Sequence, residues 1–192
     1  PRLAALILEG KRRGVASSAA LLASLIEEDQ ILLPNTPAEE EFAQQNDQAD
    51  FEPCLRLLEQ MDHGISPHQR QGIRIQAARQ IMRQAESLRK NLPTDSARPE
   101  DKHEILRKCC LAGFPDRIAR RIDRGTATYR CRDGSVVRLD RNTRIAGTEW
   151  ILGLEKRELT LKGTRTSIIF NLVTFEPEWI EEALGSVIRS SV

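Results

Sequence analysis

The stretch TATYRCRDGSVVRLD, from Thr126 to Asp140, decides the fold class of this chain. Apolar and polar residues alternate along it with a period of two, as in a half-buried β-strand, and the Asp-Gly pair in its middle is a turn signal. Upstream of it, apolar residues recur with the period of a helix. The period changes near Thr126, which predicts an α+β chain in which an all-helical bundle precedes a small β-barrel.

The loop of this predicted hairpin decides which side chains share a face. A loop of three residues that ends at Gly134 puts Tyr129 and Val137 on one side. It puts Arg130 and Arg138 on the other side. A loop of two residues would mix the two sets, because a slip of one residue inverts a whole strand. We therefore expect the longer loop, with Gly134 in the left-handed conformation that glycine adopts at no steric cost.

More strands and a final helix follow the hairpin. Residues 149–154, 157–162 and 166–175 are further strand candidates. Five short strands with tight turns in about 50 residues predict a small closed barrel. Apolar residues at helical spacing after Pro177 predict a terminal helix. We assign residues 114–192 to this OB-like barrel and its helix.

Residues 1–113 are predicted to form a helical bundle, because they carry several apolar stripes at helical spacing. The longest helix is expected to begin at Ser66. Ser66 fits the N-cap, Pro67 fits the first turn, and Gln69 completes a capping box. The acidic segment 34–50, which is rich in Gln, Asn and Pro, has no periodicity and is predicted to be a surface loop.

The sequence offers no motif for catalysis. Gly10-Lys11 lacks the remaining residues of a P-loop, and neither GxGxxG nor a DExH box occurs. We predict no catalytic residue, no bound cofactor and no metal site in this chain, since its four cysteines form no CxxC pair. No apolar run approaches the ~20 residues that cross a bilayer. Reduced cysteines used as small apolar residues predict a cytoplasmic protein.

Arginines are concentrated around the transition from helix to strand. Between Arg117 and Arg144 there are nine arginines, three acidic residues and no lysine, although the whole chain has a net charge of only +1. Some of them could cap the preceding helix or pair with aspartates, but three acidic residues cannot pair with all nine arginines. Arginine binds phosphates through two parallel hydrogen bonds and stacks on bases. A basic barrel is a common nucleic-acid platform.

We therefore predict a nucleic-acid-binding face that consists of Arg117, Arg120, Arg121, Arg124, Arg130 and Arg138. The first four of these follow the spacing i, i+3, i+4, i+7 and are expected to share one face of a helix.

The order of motifs along the chain resembles the C-terminal region of the DEAH-box RNA helicases, especially the HrpB-like bacterial branch. The resemblance covers nearly the whole chain and begins with PRLAALILEG (1–10) and ALLASLIEEDQILL (20–33). It continues with IRIQAARQIMR (73–83). The most specific motif is LAGFPDRIARR (111–121), and VTFEPEWIEEAL (173–184) closes the series.

The resemblance implies a ratchet-like bundle and an OB-like domain that cover the RNA path of an ATP-dependent helicase and contact single-stranded RNA or other nucleic acid. It also implies upstream RecA-like domains as partners, which would bind ATP and Mg. Because the chain begins at Pro1 without an initiator methionine, we expect it to be part of a longer protein. One alternative stays open: a non-catalytic interaction module whose basic face docks an acidic protein surface.

Overall fold

The structure, a computed structural model, describes residues 1–28, 31–64, 72–145, 147–161 and 164–189. Its helical region consists of α1 (Arg2–Arg12), α2 (Ala16–Glu27), α3 (Pro37–Phe42), α4 (Glu52–Asp62), α5 (Ile75–Arg89) and α6 (Lys102–Gly113). Its strands are β1 (Ile118–Arg121), β2 (Thr128–Cys131), β3 (Val136–Leu139), β4 (Trp150–Leu161) and β5 (Thr164–Thr174), followed by helix α7 (Glu178–Arg189). Short 3-10 turns lie at Pro99–Asp101 and Pro115–Arg117.

Helix α2 lies at the centre of the helical region. It is buried from Ala16 to Leu25 except at Ser17, and it packs against α1 and α5. Helices α1 and α2 approach closely at Gly10, where an added Cβ would lie 2.4 Å from the Cβ of Ala19. The predicted helical bundle is therefore confirmed. None of the described helices is long and apolar enough to cross a membrane.

The longest helix begins later than the sequence predicted. Ser66 lies outside the described residues, and α5 starts at Ile75. The residues just before it are extended rather than helical. The Arg74 N–H donates to the Ile31 carbonyl at 2.8 Å, and Gly72 has a φ of +104°. The prediction of one continuous helix from Ser66 is therefore wrong at residues 72–74, which pair with a distant segment, whereas the predicted capping box at Ser66 lies outside the described residues.

The acidic segment 34–50 is not a loop throughout, because it includes one short helix and a β-bridge at Ala49. It contains α3, whose N-cap Thr36 accepts a hydrogen bond from the Glu39 N–H. Its last residues pair with β5: the Thr174 N–H donates to the Gln48 carbonyl, and the Asp50 N–H donates to the Leu172 carbonyl, each at 2.8 Å. The segment thereby joins the helical region to the barrel.

The five strands close into a barrel in the order β1-β2-β3-β5-β4, with β1 paired to β4. The β3–β5 pair is parallel and the others are antiparallel. This confirms the predicted fold class and the small barrel with a terminal helix. The strand limits differ in two places. Strand β1 was not predicted, and β4 runs through both candidates 149–154 and 157–162.

The predicted hairpin register is confirmed. Tyr129 lies directly opposite Val137, and both are buried inside the barrel. The Tyr129 hydroxyl donates to the Thr148 carbonyl at 2.8 Å. Gly134 has a φ of +81°. Arg130 and Arg138 lie on the outside, as the sorting of faces required.

The barrel has a second apolar surface on its outside. Leu152 and Leu154 of β4 and Val173 of β5 are buried on the outer side and belong to the same apolar cluster as the helices. The interior of the barrel forms a separate cluster around Tyr129 and Ile151. One half of the barrel is therefore covered by helices, and the half formed by β1, β2 and β3 faces outward.

Candidate nucleic-acid interface

The first four candidate arginines do not lie on one helix, so that prediction is wrong. Arg117 ends a 3-10 turn, Arg120 and Arg121 belong to β1, and Arg124 lies in the loop between β1 and β2. Successive side chains of a strand point to opposite faces, which separates Arg120 from Arg121. The helical spacing of the four arginines was coincidental, because the partner strands β2 and β4 determine the conformation of this segment.

Arg117 stabilises the junction between the helices and the barrel. Its guanidinium donates a hydrogen bond to the Leu154 carbonyl and lies 5.3 Å from the centre of the Phe114 ring. Burial, with a smaller contribution from nearby Arg2, lowers the pKa of Arg117. These contacts occupy the side chain within the protein.

Arg121 also has internal partners. Its Nε donates to the Thr126 carbonyl at 3.1 Å, and its Nη1 donates to the Gly147 carbonyl at 3.2 Å. The side chain thus connects the loop after β1 with the segment that precedes β4. These two hydrogen bonds give Arg121 a structural role that requires no bound ligand.

Arg120 lies on the outer face of β1. It forms an ion pair with Glu149 at 2.7 Å, and its Cζ lies 5.3 Å from the centre of the Trp150 ring. Directly opposite Arg120 on β2 is Arg130. Like charges that face each other across two strands destabilise a sheet, and the contact of Arg120 with Glu149 offsets only part of this repulsion because Arg130 has no acidic partner among the described residues.

Three of the candidate arginines are exposed, and their side chains have neither an ion pair nor a hydrogen-bond partner among the described residues: Arg124, Arg130 and Arg138. Arg138 lies on the outer face of β3, the strand next to Arg130. We call the set Arg120, Arg124, Arg130 and Arg138 the arginine face. Four of the six candidate arginines therefore lie together on the uncovered half of the barrel.

An apolar groove of about 770 Å³ adjoins the arginine face. Its floor contains Ile118, Ile122 and Trp150, and Ile180 of α7 forms one wall. Arg120, Arg130 and Arg132 lie along its rim. The sequence analysis did not identify Arg132 or the groove, since the apolar residues that line it come from three separate parts of the chain.

A polar cavity of about 290 Å³ lies on another side, between the helices and the barrel. Asp50 is its most buried acid. The Asp50 carboxylate accepts hydrogen bonds from the Leu172 N–H and the Thr143 hydroxyl, both at 2.8 Å, and from the Arg144 N–H at 3.2 Å. Burial raises the pKa of Asp50. These bonds connect the end of the acidic segment to β5 and to the residues that follow β3.

No cluster of three or more His, Cys, Asp or Glu side chains suited to a metal ion occurs in the described parts of the chain.

Of the comparisons with known proteins, the comparison with solved structures found matches. No protein-family model matches the sequence, and no curated protein matches it. The crystal structure of the E. coli DExH-box NTPase HrpB matches with a TM-score of 0.55 at 20% sequence identity, over 97% of this chain.

The chain has the fold of a region of HrpB. It spans 18% of the length of that HrpB chain, so the likeness concerns one region of a larger protein. This finding is consistent with the resemblance of the sequence to the C-terminal region of the HrpB-like helicases.

Proposed function

We propose that this chain is an accessory region of an ATP-dependent RNA helicase and that its arginine face contacts single-stranded nucleic acid. The likeness to HrpB supports a helicase-associated region. In OB-type barrels, nucleic acids bind across the second and third strands and at the loop between the first and second. Arg130, Arg138 and Arg124 occupy these three places.

One observation carries the proposal, namely that Arg120 and Arg130 face each other on an open surface. Two arginines at opposite positions lower the stability of a sheet, and a phosphate beside them is attracted most strongly to Arg130, which has no partner among the described residues, because Arg120 is already paired with Glu149. Contacts of this kind involve the backbone of the nucleic acid, so we expect little sequence preference. Arg117 and Arg121 take no part in this binding, because they hold the barrel together.

In this proposal, the ATP and Mg sites belong to RecA-like domains outside this chain, and the chain lines the path of the RNA strand. The helicase would be cytoplasmic, which fits the four cysteines, all free and buried. Burial raises the pKa of Cys109 to about 12, so this thiol is unreactive.

The test compares two triple variants of the chain with equal changes in charge. The first carries Arg124→Gln, Arg130→Gln and Arg138→Gln. Its affinity for a fluorescent single-stranded RNA should fall, and the slope of log K against log salt should flatten by about 2, since each phosphate contact on a single strand contributes about 0.7. Its melting temperature should not fall, because none of the three side chains has a partner among the described residues.

The control triple carries Arg79→Gln, Arg83→Gln and Arg98→Gln, which are exposed positions of the helical region. It should bind RNA like the unmodified chain. An equal loss of affinity in both triples would show that only the overall charge matters. If the first triple binds RNA normally, the face does not bind nucleic acid, and docking on an acidic protein surface, such as the RecA-like domains, becomes the better explanation.

A further inference from the structure

The apolar groove beside the arginine face runs along the outer side of β1. Ile122 is 45% exposed at one end of it, and Ile118 lies at the other. Of the arginines on its rim, Arg120 is already paired with Glu149, whereas Arg130 and Arg132 have no partner among the described residues. The groove therefore combines an unfilled apolar floor with two uncompensated positive charges.

The chemistry of this floor suits apolar side chains better than nucleobases. Apart from its arginines, the lining includes no side-chain amide or hydroxyl group that could read the edge of a base, and three of its apolar residues are isoleucines. Stacking of a base on Trp150 is hindered, because the guanidinium of Arg120 already lies over that ring. Isoleucine side chains instead gain most by burying other aliphatic or aromatic groups. The free arginines favour carboxylates next to those groups.

The backbone around the groove decides the conformation of an occupant. Strand β1 is paired with β2 on one side and with β4 on the other, so it offers no free edge to which a peptide strand could add. The occupant must satisfy its own backbone hydrogen bonds, as a helix does. From Ile118 to Ile122 the floor is about 13 Å long, at roughly 3.3 Å per residue. A helix covers about 10.5 Å of this length between residues i and i+7, at 1.5 Å per residue.

We propose that the apolar groove binds an acidic amphipathic helix of a partner protein. Apolar side chains at positions i, i+3 and i+7 of that helix lie against Ile118, Ile122 and Ile180. Glutamates or aspartates beside them pair with Arg130 and Arg132. This docking site goes beyond the proposed contact with nucleic acid and does not depend on it, although both use Arg130.

The probe is a fluorescein-labelled helical peptide of about 16 residues, long enough to be partly helical in water. It carries leucines at i, i+3 and i+7 and glutamates at the neighbouring positions. We expect saturable binding by fluorescence anisotropy. Ile122→Ser and Arg132→Gln should each weaken it by about fivefold, because one removes part of the apolar floor and the other a charge-assisted hydrogen bond.

Arg124→Gln is the matched control, since Arg124 is equally exposed on the neighbouring loop but does not line the groove. It should leave peptide binding unchanged and weaken RNA binding. Ile122→Ser should do the reverse. This pair of opposite effects separates the groove from the arginine face. Failure of the peptide to bind would leave the proposed function intact, because the RNA measurement is made independently on the same variants.

Three results would overturn the docking site. The peptide could fail to bind saturably, or it could bind the Ile122→Ser variant as tightly as the unmodified chain. A peptide with glutamines in place of its glutamates could bind equally well, which would exclude recognition of acids. Weaker RNA binding by Ile122→Ser, together with displacement of the peptide by RNA, would make the groove part of the nucleic-acid site instead.

Discussion

The two halves of the barrel's outer surface have opposite characters although the same kind of strand builds both. On the half formed by β4 and β5, Leu152 and Val173 point outward and are fully buried under the helices. On the half formed by β2 and β3, the outward residues Arg130, Val136 and Arg138 are exposed and Thr128 is half-buried. Alternation along a strand determines only whether a side chain faces the inside or the outside of the barrel. Whether an outward side chain adds stability depends on the layer that covers it.

The largest difference should appear when one apolar residue on each half is shortened. Leu152→Ala should lower the free energy of unfolding by about 2–5 kcal/mol, because it leaves a cavity between the barrel and the helices. Val136→Ala, at a position that is 47% exposed, should change it by less than about 0.5 kcal/mol. Urea denaturation followed by circular dichroism measures both. Similar losses in the two variants would mean that the two halves are equally covered in solution.

On the covered half, the contribution of Asp50 to the free energy of unfolding should depend on pH. Asp50→Asn replaces an acceptor of three hydrogen bonds by a group that can accept fewer, so stability should fall by about 1–3 kcal/mol in acid. Burial raises the pKa of Asp50 in the folded chain above that in the unfolded chain. Its stabilisation is therefore complete below the unfolded pKa and declines as pH rises through the folded one.

The advantage of the unmodified chain over Asp50→Asn should accordingly shrink between acid and neutral pH, as denaturation curves at a series of pH values would show. Glu100→Gln, which removes an exposed carboxylate, is the control and should stay within about 0.5 kcal/mol throughout. An advantage that grows with pH would indicate that the Asp50 carboxylate is stabilised in its charged form.

The smallest effect is expected on the open half and has the opposite sign. Arg130→Thr removes one member of the opposed pair with Arg120 and should raise the stability by about 0.2–0.5 kcal/mol at low salt. The gain should shrink at high salt, because salt screens exposed charges. Arg138→Thr is the control, since Arg138 faces Thr128 and not a charge. A gain of equal size in both variants would mean that threonine propensity, and not repulsion, causes it.

Local patterns predicted the parts of this fold that depend on neighbours in sequence. The hairpin of β2 and β3 was predicted with its register, because the turn and the alternation lie within 15 residues. Strand β1 was not predicted, since its sequence IARR does not alternate between apolar and polar residues and only pairing with β2 and β4 makes it a strand. The arginine spacing at 117, 120, 121 and 124 then suggested a helix that does not form.

The candidate site was predicted in part for the same reason. The excess of arginine is visible in the composition, and the resulting candidate site stays a prediction. Composition could not separate Arg117 and Arg121, which bind carbonyl groups, from the exposed Arg124, Arg130 and Arg138. Segment 34–50 was likewise predicted to be a loop, because the residues that form hydrogen bonds with its last residues lie more than 100 positions further along the sequence.

The pairing of residues 48–50 with β5 has a consequence for the order in which the chain folds. The bond between Asp50 and Leu172 spans 122 residues, so its formation closes a very long loop. The β2–β3 hairpin closes a loop of three residues and forms far sooner. Until the helical region docks, the Leu172 and Thr174 backbone groups have none of the partners they find in Gln48 and Asp50. We therefore expect the pairing of residues 48–50 with β5 to form late in folding, well after the β2–β3 hairpin.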